Sequence, residues 1–595
     1  MTEERETGAS RRDENPAETL RRRVEVARGD READLLLANA RVANVFTGEV
    51  EDGVHVAVSG GFVAGVGGDY RRGREVIDLA GRATVIPGLV DAHLHIESSH
   101  LLPREFARVA VPRGTTAVVT DPHEIANVFG LEGVRFMVEA SRGLPLDVFH
   151  MAPSCVPATA METAGAEMGP REVAAAFRLE RVLGLAEVMN FPGVVGAEEA
   201  VLAKILAAGE RPVDGHAPRV SGRALAAYAA AGVESDHECT TLEEAREKLA
   251  LGMWLFVREG SAAKNLAALL PAVTDATFQR VAFCCDDRSA LDIATSGHVD
   301  AILRQAVALG LDPVRAVTLA TLNPSRRFAL RARGAVAPGY RADLAVMGDL
   351  RDFEAKLVVK DGRVVARGGR LVAEPAVTDP PPRSLPPSVR VAALPPAPFR
   401  IAARGAAALA IEIVPDQIVT RAARVAVRSS GGEVVADPAA DVVKIAVIER
   451  HRASGRIGLG LVKGFGIRGG ALASTFAHDS HNLVVIGDTD TDMRVAAERA
   501  VEIGGGFVAV ASGAVAAELP LRVAGLLSDR PFEEVIRADR ALLAACRAMG
   551  VAPRVPFLTL SFLALPVIPE LKITDRGLVD VTRFRLVDLF DGAAP

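Results

Sequence analysis

The chain has 595 residues, 49% of them hydrophobic, and a formal net charge of -6. That length exceeds what one hydrophobic core organises, so two or three domains are expected; the nearly balanced charge, with no basic stripe or acidic tail, argues against nucleic acid as a partner. Five cysteines (Cys155, Cys239, Cys284, Cys285 and Cys546) show no framework spacing, the N-terminus lacks a secretory core and no run reaches the roughly 20 apolar residues of a spanning helix, so a cytoplasmic protein without a membrane segment is expected.

In chain order, residues 1–32 read as a polar arm of low order. Residues 33–86 hold short β-rich runs with Gly turns, notably 35–42 and 54–58, and similar runs return at 334–336, 342–346 and 356–365. A β-sandwich built from 33–86 and 334–374, flanking a central domain on both sides, accounts for the two sets. Between them, residues 87–333 alternate strand-like and helical runs. The clearest strands are 181–190, 211–216, 232–237, 253–257 and 280–286; Ser221 starts one helix, and Thr241-Leu242-Glu243-Glu244 has the form of a capping box, with Gly252 as the stop. About 250 residues of such alternation suit a (β/α)8 TIM-like barrel. A doubly wound sheet would be expected to open on a Gly-rich phosphate turn. Residues 375–398 are Pro-rich and read as a linker, and 399–595 as a C-terminal α/β-type domain.

His93 and His95 sit two apart at the end of Pro87-Gly88-Leu89-Val90-Asp91-Ala92-His93-Leu94-His95. On a strand that spacing sends both imidazoles to one face, the beginning of a metal site. Alone the pair says little. It gains weight because polar residues follow at the ends of later strand-like runs, where a barrel places its catalytic groups: Asp121 and His123, Glu187, His216, His237 and Asp286. Four imidazoles and two carboxylates can hold two divalent ions, with a carboxylate such as Glu187 between them. A water bound by both would become a hydroxide near neutral pH, and Asp286 could accept its proton and pass it on. The mixed donor set suits Mn2+, Fe2+ or Zn2+.

The opening run resembles the amidohydrolase superfamily. Within it, His95-Ile96-Glu97-Ser98-Ser99, Thr120-Asp121-Pro122-His123-Glu124-Ile125-Ala126-Asn127, Ala186-Glu187-Val188-Met189-Asn190, Asp214-Gly215-His216-Ala217-Pro218, Ser235-Asp236-His237-Glu238, Cys285-Asp286-Asp287-Arg288 and Ala477-His478-Asp479-Ser480-His481-Asn482 resemble the bacterial adenine deaminases. The resemblance spans nearly the whole chain after the N-terminal arm. It implies a binuclear Mn2+ centre, with Fe2+ or Zn2+ as alternatives, and purine salvage by hydrolysis of adenine to hypoxanthine and ammonia, with a small-molecule substrate and a homo-oligomeric enzyme. It also implies His93, His95, His216 and His237 as metal ligands, Glu187 as bridging ligand, and Asp286 as ligand and proton shuttle. Residues 181–190 contain no lysine, which disfavours relatives bridged by a carboxylated lysine. The Pro-Cys-x-x-Cys signature of the other zinc deaminases is absent too.

Several residues keep two readings. Asp287 competes with Asp286 for the shuttle role. Asp121 and His123 fit a capped turn as well as substrate contact, and Glu97 fits an outer partner of a ligand imidazole. His150 and His298 are more simply packed histidines than pocket residues. The cluster His478 to His481 fits a lid, an extra metal site or a hydrogen-bonded turn. Two other functions stand beside adenine deamination: an amidohydrolase of another aminopurine or cyclic amide, and a non-catalytic scaffold.

Overall fold

The computed structural model describes residues 15–375, 383–415 and 417–591. It divides into two compact units, the first of residues 1–90, 111–116 and 303–373, the second of 91–110, 117–302 and 374–595.

In the first unit, the strands Ala33–Asn44, Glu49–Ser59, Phe62–Gly67, Gly73–Asp78 and Thr84–Pro87 join Leu344–Met347, Ala355–Lys360, Arg363–Arg367 and Arg370–Leu371 in one nine-stranded sheet. The flanks of the chain meet where Ile86 pairs with Ala345 and Val85 with Val346. Alternation along the strands decides the two faces. Leu35, Leu37, Val56, Val58, Val85, Leu344, Val346, Leu357 and Val359 share one core, whereas Leu36, Ala38, Ala57 and Ala64 pack with Val26 on the other face.

Three expectations are corrected here. Residues 1–14 of the expected arm lie outside the described residues, but Pro16–Ala27 is a helix, capped by Asn15, whose side chain accepts the Ala17 N–H at 3.0 Å, with Val26 as its buried anchor. The run 356–365 is a hairpin and not one strand, because Asp361 (φ 52°) and Gly362 (φ 76°) supply the two left-handed positions of a tight turn. Residues 334–336 form no strand; Gly334 turns at φ 86° and Val336 only packs into the core.

The second unit carries a TIM-like barrel. Five parallel strands run in the order Val213–Gly215, Val182–Val188, Asp147–Ala152, Thr115–Thr120, Leu89–Leu94, and three more in the order Ser235–Asp236, Trp254–Arg258, Val281–Cys284. The Glu234 N–H donates to the Val213 carbonyl at 3.0 Å across one gap, and the Asp286 N–H to the His93 carbonyl at 3.0 Å across the other. The capping box forms as its sequence suggests: Thr241 and Glu244 cap Leu242–Ala250, and Gly252 follows at φ 83°.

The C-terminal part departs from an α/β pattern. Among the described residues its eight-stranded sheet is almost wholly antiparallel, although the helix Asp490–Glu502 crosses from Leu483–Gly487 to Gly506–Ala511 over Gly470–Ser474; only Ala407–Ile413 and Ile457–Lys463 pair in parallel. The helix Asp490–Glu502 covers one face through Met493, Ala496, Ala497 and Ala500. Of the expected linker, residues 376–382 lie outside the described residues. Residues 383–398 are irregular but fastened: Arg383 binds Glu139 at 2.6 Å, and Val391 and Leu394 pack into the C-terminal core. Among the described residues, no helix is long and apolar enough to cross a membrane.

Gly184, in the third barrel strand from the opening one, has no room for a methyl group. A Cβ there would lie 2.1 Å from the Pro212 carbonyl oxygen and 3.0 Å from Met151 Cε. Because the nearer atom is backbone, Gly184→Ala is expected to destabilise the chain by at least about 1–3 kcal/mol, read as a lowered urea midpoint; an unchanged midpoint contradicts this packing.

Candidate metal centre

Five of the barrel strands deliver the six candidate ligands at or near their ends. His93 lies within Leu89–Leu94 and His95 just past it; Glu187 lies within Val182–Val188; His216, His237 and Asp286 each directly follow or closely follow a short strand. All six are buried. Glu187 is at the middle, with Oε1 3.3 Å from His95 Nε2 and 3.8 Å from His93 Nε2. Its Oε2 lies 2.7 Å from His216 Nδ1 and 3.3 Å from His237 Nε2. Asp286 Oδ1 faces the first pair, 3.4 Å from His93 Nε2 and 3.1 Å from His95 Nε2.

Hydrogen bonds behind the ring aim these groups. The His95 Nδ1–H donates to the Asp121 carbonyl at 3.0 Å, so in the neutral ring Nε2 carries a lone pair. Asp91 Oδ1 accepts the His93 N–H at 3.3 Å and the Cys285 N–H at 3.1 Å, tying the strand of His93 to the loop of Asp286. The Tyr228 hydroxyl donates to the Val188 carbonyl at 2.7 Å and accepts the His216 N–H at 2.9 Å. Arg258, at the end of Trp254–Arg258, donates to Asp286 Oδ2 at 2.9 Å and pairs with Glu238.

These neighbours set the charges. Burial alone would raise the Glu187 carboxyl, but His237, His216 and His95 hold it well below the usual range. Asp286 is likewise held low against burial by His93, His95 and Arg258. Burial disfavours the His95 cation, yet Asp286 and Glu187 raise its pKa well above that of a free imidazole. A ring nitrogen facing two carboxylate oxygens calls for positive charge there, from a proton or from a metal ion. His93 Nε2 and His216 Nε2 are buried without a hydrogen bond. The sets His93, Glu187, His237 and His93, His95, Asp286 each bring one donor atom per residue within 4.8 Å of the others. Donor types and geometry therefore fit divalent metal ions.

The other candidate residues divide. Asp121 and His123 join the centre, with His123 Nδ1 2.9 Å from Asp121 Oδ2 and 3.5 Å from Glu187 Oε1. His478 lies beside them, its Nδ1 2.5 Å from Glu124 Oε1, and His481 Nε2 is 2.5 Å from Glu124 Oε2. Glu97 is buried behind, its Oε1 accepting the Ile125 N–H at 3.3 Å. His150 does not line the pocket: it is enclosed within Asp147–Ala152, where burial and the Arg181 guanidinium lower its pKa to about 3. His298 packs against Asp91 at 3.2 Å, also outside the pocket lining.

Sequence reasoning assigned no role to Arg258, Glu238 or the apolar residues Phe562, Leu565 and Ile568, all of which line the pocket, as does Asp479 of the His478 to His481 cluster. Arg258 had a signal, a charge at the end of a recognised strand. The apolar residues had none, because nothing local in their sequence ties them to a barrel hundreds of residues earlier.

Two family models match the chain: the amidohydrolase family over residues 84–365, and the adenine deaminase C-terminal domain over residues 417–585. An adenine deaminase of Desulfatibacillum aliphaticivorans is 48% identical over 96% of this chain and 99% of its own length. Adenine deaminases of Dehalococcoides mccartyi and Methanothrix thermoacetophila are each 47% identical over 95% of this chain, covering 98% and 99% of theirs.

Phe562 is propped from behind by Lys572, a buried ammonium that donates to the Phe562 and Ile418 carbonyls at 2.9 Å each. Burial lowers its pKa to about 7, against about 10.4 in an unfolded chain. Between those values the unfolded chain holds a proton the folded chain has released, so this group makes stability rise with pH. Urea midpoints from pH 7 to pH 9 should therefore climb more steeply in the wild type than in Lys572→Met; parallel curves count against it.

Proposed function

The chain belongs to the adenine deaminase family of amidohydrolases, and from that membership we propose that it hydrolyses adenine to hypoxanthine and ammonia, a purine-salvage step. The observation that carries the reading is the meeting of His93, His95, Glu187, His216, His237 and Asp286 at one buried point, in a chain related to adenine deaminases along nearly its full length. We assign these six residues to a binuclear centre of Mn2+, with Fe2+ or Zn2+ suiting the same donors. Glu187 would be the residue shared by two ions, since its two oxygens face different imidazole pairs. Ions bound there supply the positive charge that lets water give up a proton near neutral pH.

The remaining work falls to side chains. Arg258 grips Asp286 Oδ2, so Oδ1 stays directed into the centre. In that position Asp286 takes the proton of the attacking water and returns it to the departing amino group. Water adds at the amino-bearing carbon, the carbon–nitrogen bond breaks and ammonia leaves. Phe562, stacked on His478 at 4.6 Å between centroids, forms with Leu565 and Ile568 a flat apolar wall suited to a purine face.

Incubated with Mn2+ and adenine, the purified chain should release ammonia and hypoxanthine in equal amounts, and chelation should stop it. Asp286→Asn should lower kcat by about 10²–10⁴-fold, the scale of a lost general acid–base group. A metal-replete chain inert toward adenine but active on another aminopurine or a cyclic amide would move the assignment to that substrate.

A further inference from the structure

We propose that the pocket wall holds a second, separate cation site, in which His123 and Glu124 of the barrel and His478 and Asp479 of the C-terminal part bind one Zn2+. The inference goes beyond the deamination reaction and does not depend on it.

Four donor atoms form a closed ring. His123 Nε2 lies 3.6 Å from Glu124 Oε1, which lies 2.5 Å from His478 Nδ1; that nitrogen is 3.7 Å from Asp479 Oδ1, and Asp479 Oδ1 is 3.6 Å from His123 Nε2. Ligands at about 2.0–2.2 Å from a tetrahedral zinc stand about 3.3–3.6 Å apart, close to three of these four spacings. All four residues are buried, Glu124 completely. Glu124 Oε1 is buried and its contact with His478 lacks the alignment of a hydrogen bond, so that oxygen is not fully satisfied by its neighbours. The carboxylates of Glu124 and Asp479 share this enclosed space, and their charge calls for a cation between them.

Outer contacts prepare the donors as they do in metal sites. Asp121 Oδ2 takes the Nδ1–H of His123 at 2.9 Å, which leaves Nε2 with its lone pair toward the ring. His481 Nδ1 accepts the Ala477 N–H at 3.1 Å, so the neutral ring carries its proton on Nε2, 2.5 Å from Glu124 Oε2. Glu124 Oε2 therefore lies on the His481 side, and Oε1 is the oxygen nearer His478. Arg450 fixes the loop that carries His478, donating to the carbonyls of His481, Thr475 (3.3 Å) and Ala524 (3.0 Å). Two imidazoles and two carboxylates in a four-donor ring suit Zn2+. The ion would fasten the C-terminal loop to the barrel helix His123–Phe129.

The test is the ion count per full-length chain by native mass spectrometry after loading with ZnCl2 and removal of excess metal. Three ions are expected in the wild type, two in His478→Gln and two in Asp479→Asn, the near-isosteric second variant serving if the first does not fold. His93→Asn should lose ions while keeping the one at this ring. Equal counts in the wild type and a folded ring variant overturn the inference, because the imidazolium of His478 alone would then balance the carboxylates. A chain with full adenine activity and only two ions sinks this site and spares the proposed function; three ions without adenine turnover do the reverse.

Discussion

The architecture depends on one electrostatic constraint: lone pairs and carboxylates buried together at the ends of parallel strands must be neutralised where they meet. Glu187 and Asp286 stay ionised in full enclosure because imidazoles and Arg258 surround them. The barrel makes this arrangement possible, since parallel strands all end on one side and converge there. Behind the centre, Asp91, Tyr228 and Arg258 hold the groups in place through backbone and side-chain hydrogen bonds. Such support is what keeps charged side chains aimed at each other instead of retreating to solvent.

The C-terminal part shares in this constraint. The loop bearing His478 and His481 connects Gly470–Ser474 to Leu483–Gly487, two paired strands inside the eight-stranded sheet. Anchored on both sides, the loop has little freedom, and Arg450 fills the space beneath it; a Cβ at Gly525 would lie 2.7 Å from the Arg450 guanidinium. The helix Pro556–Phe562 then adds the apolar wall. The pocket is thus lined by both charged and apolar side chains, which meet where Phe562 stacks on His478.

Legibility in the sequence follows from how local each cause is. The convergence of His93, His95, Glu187, His216, His237 and Asp286 was readable because the strand period and the strand end are local properties, His93 and His95 sharing one strand and the others marking one each. The capping box at Thr241 and Glu244 was readable for the same reason. The helix Pro16–Ala27 was not, since its polar composition hides a single buried anchor, Val26. The run 356–365 was legible as a hairpin from its Asp361-Gly362 pair, a dipeptide that favours two left-handed positions, and reading it as one run overlooked that signal. His150 is the packed histidine that its place inside an apolar strand suggested, buried and outside the pocket lining. The antiparallel order of the C-terminal sheet depends on pairings between distant segments, which no short window contains.

Glu124 is set early in the chain and its partners late. In the folded chain the enclosure of this early carboxylate is completed by a loop encoded far downstream, so a change that displaces the loop would expose the barrel's own carboxylate to water.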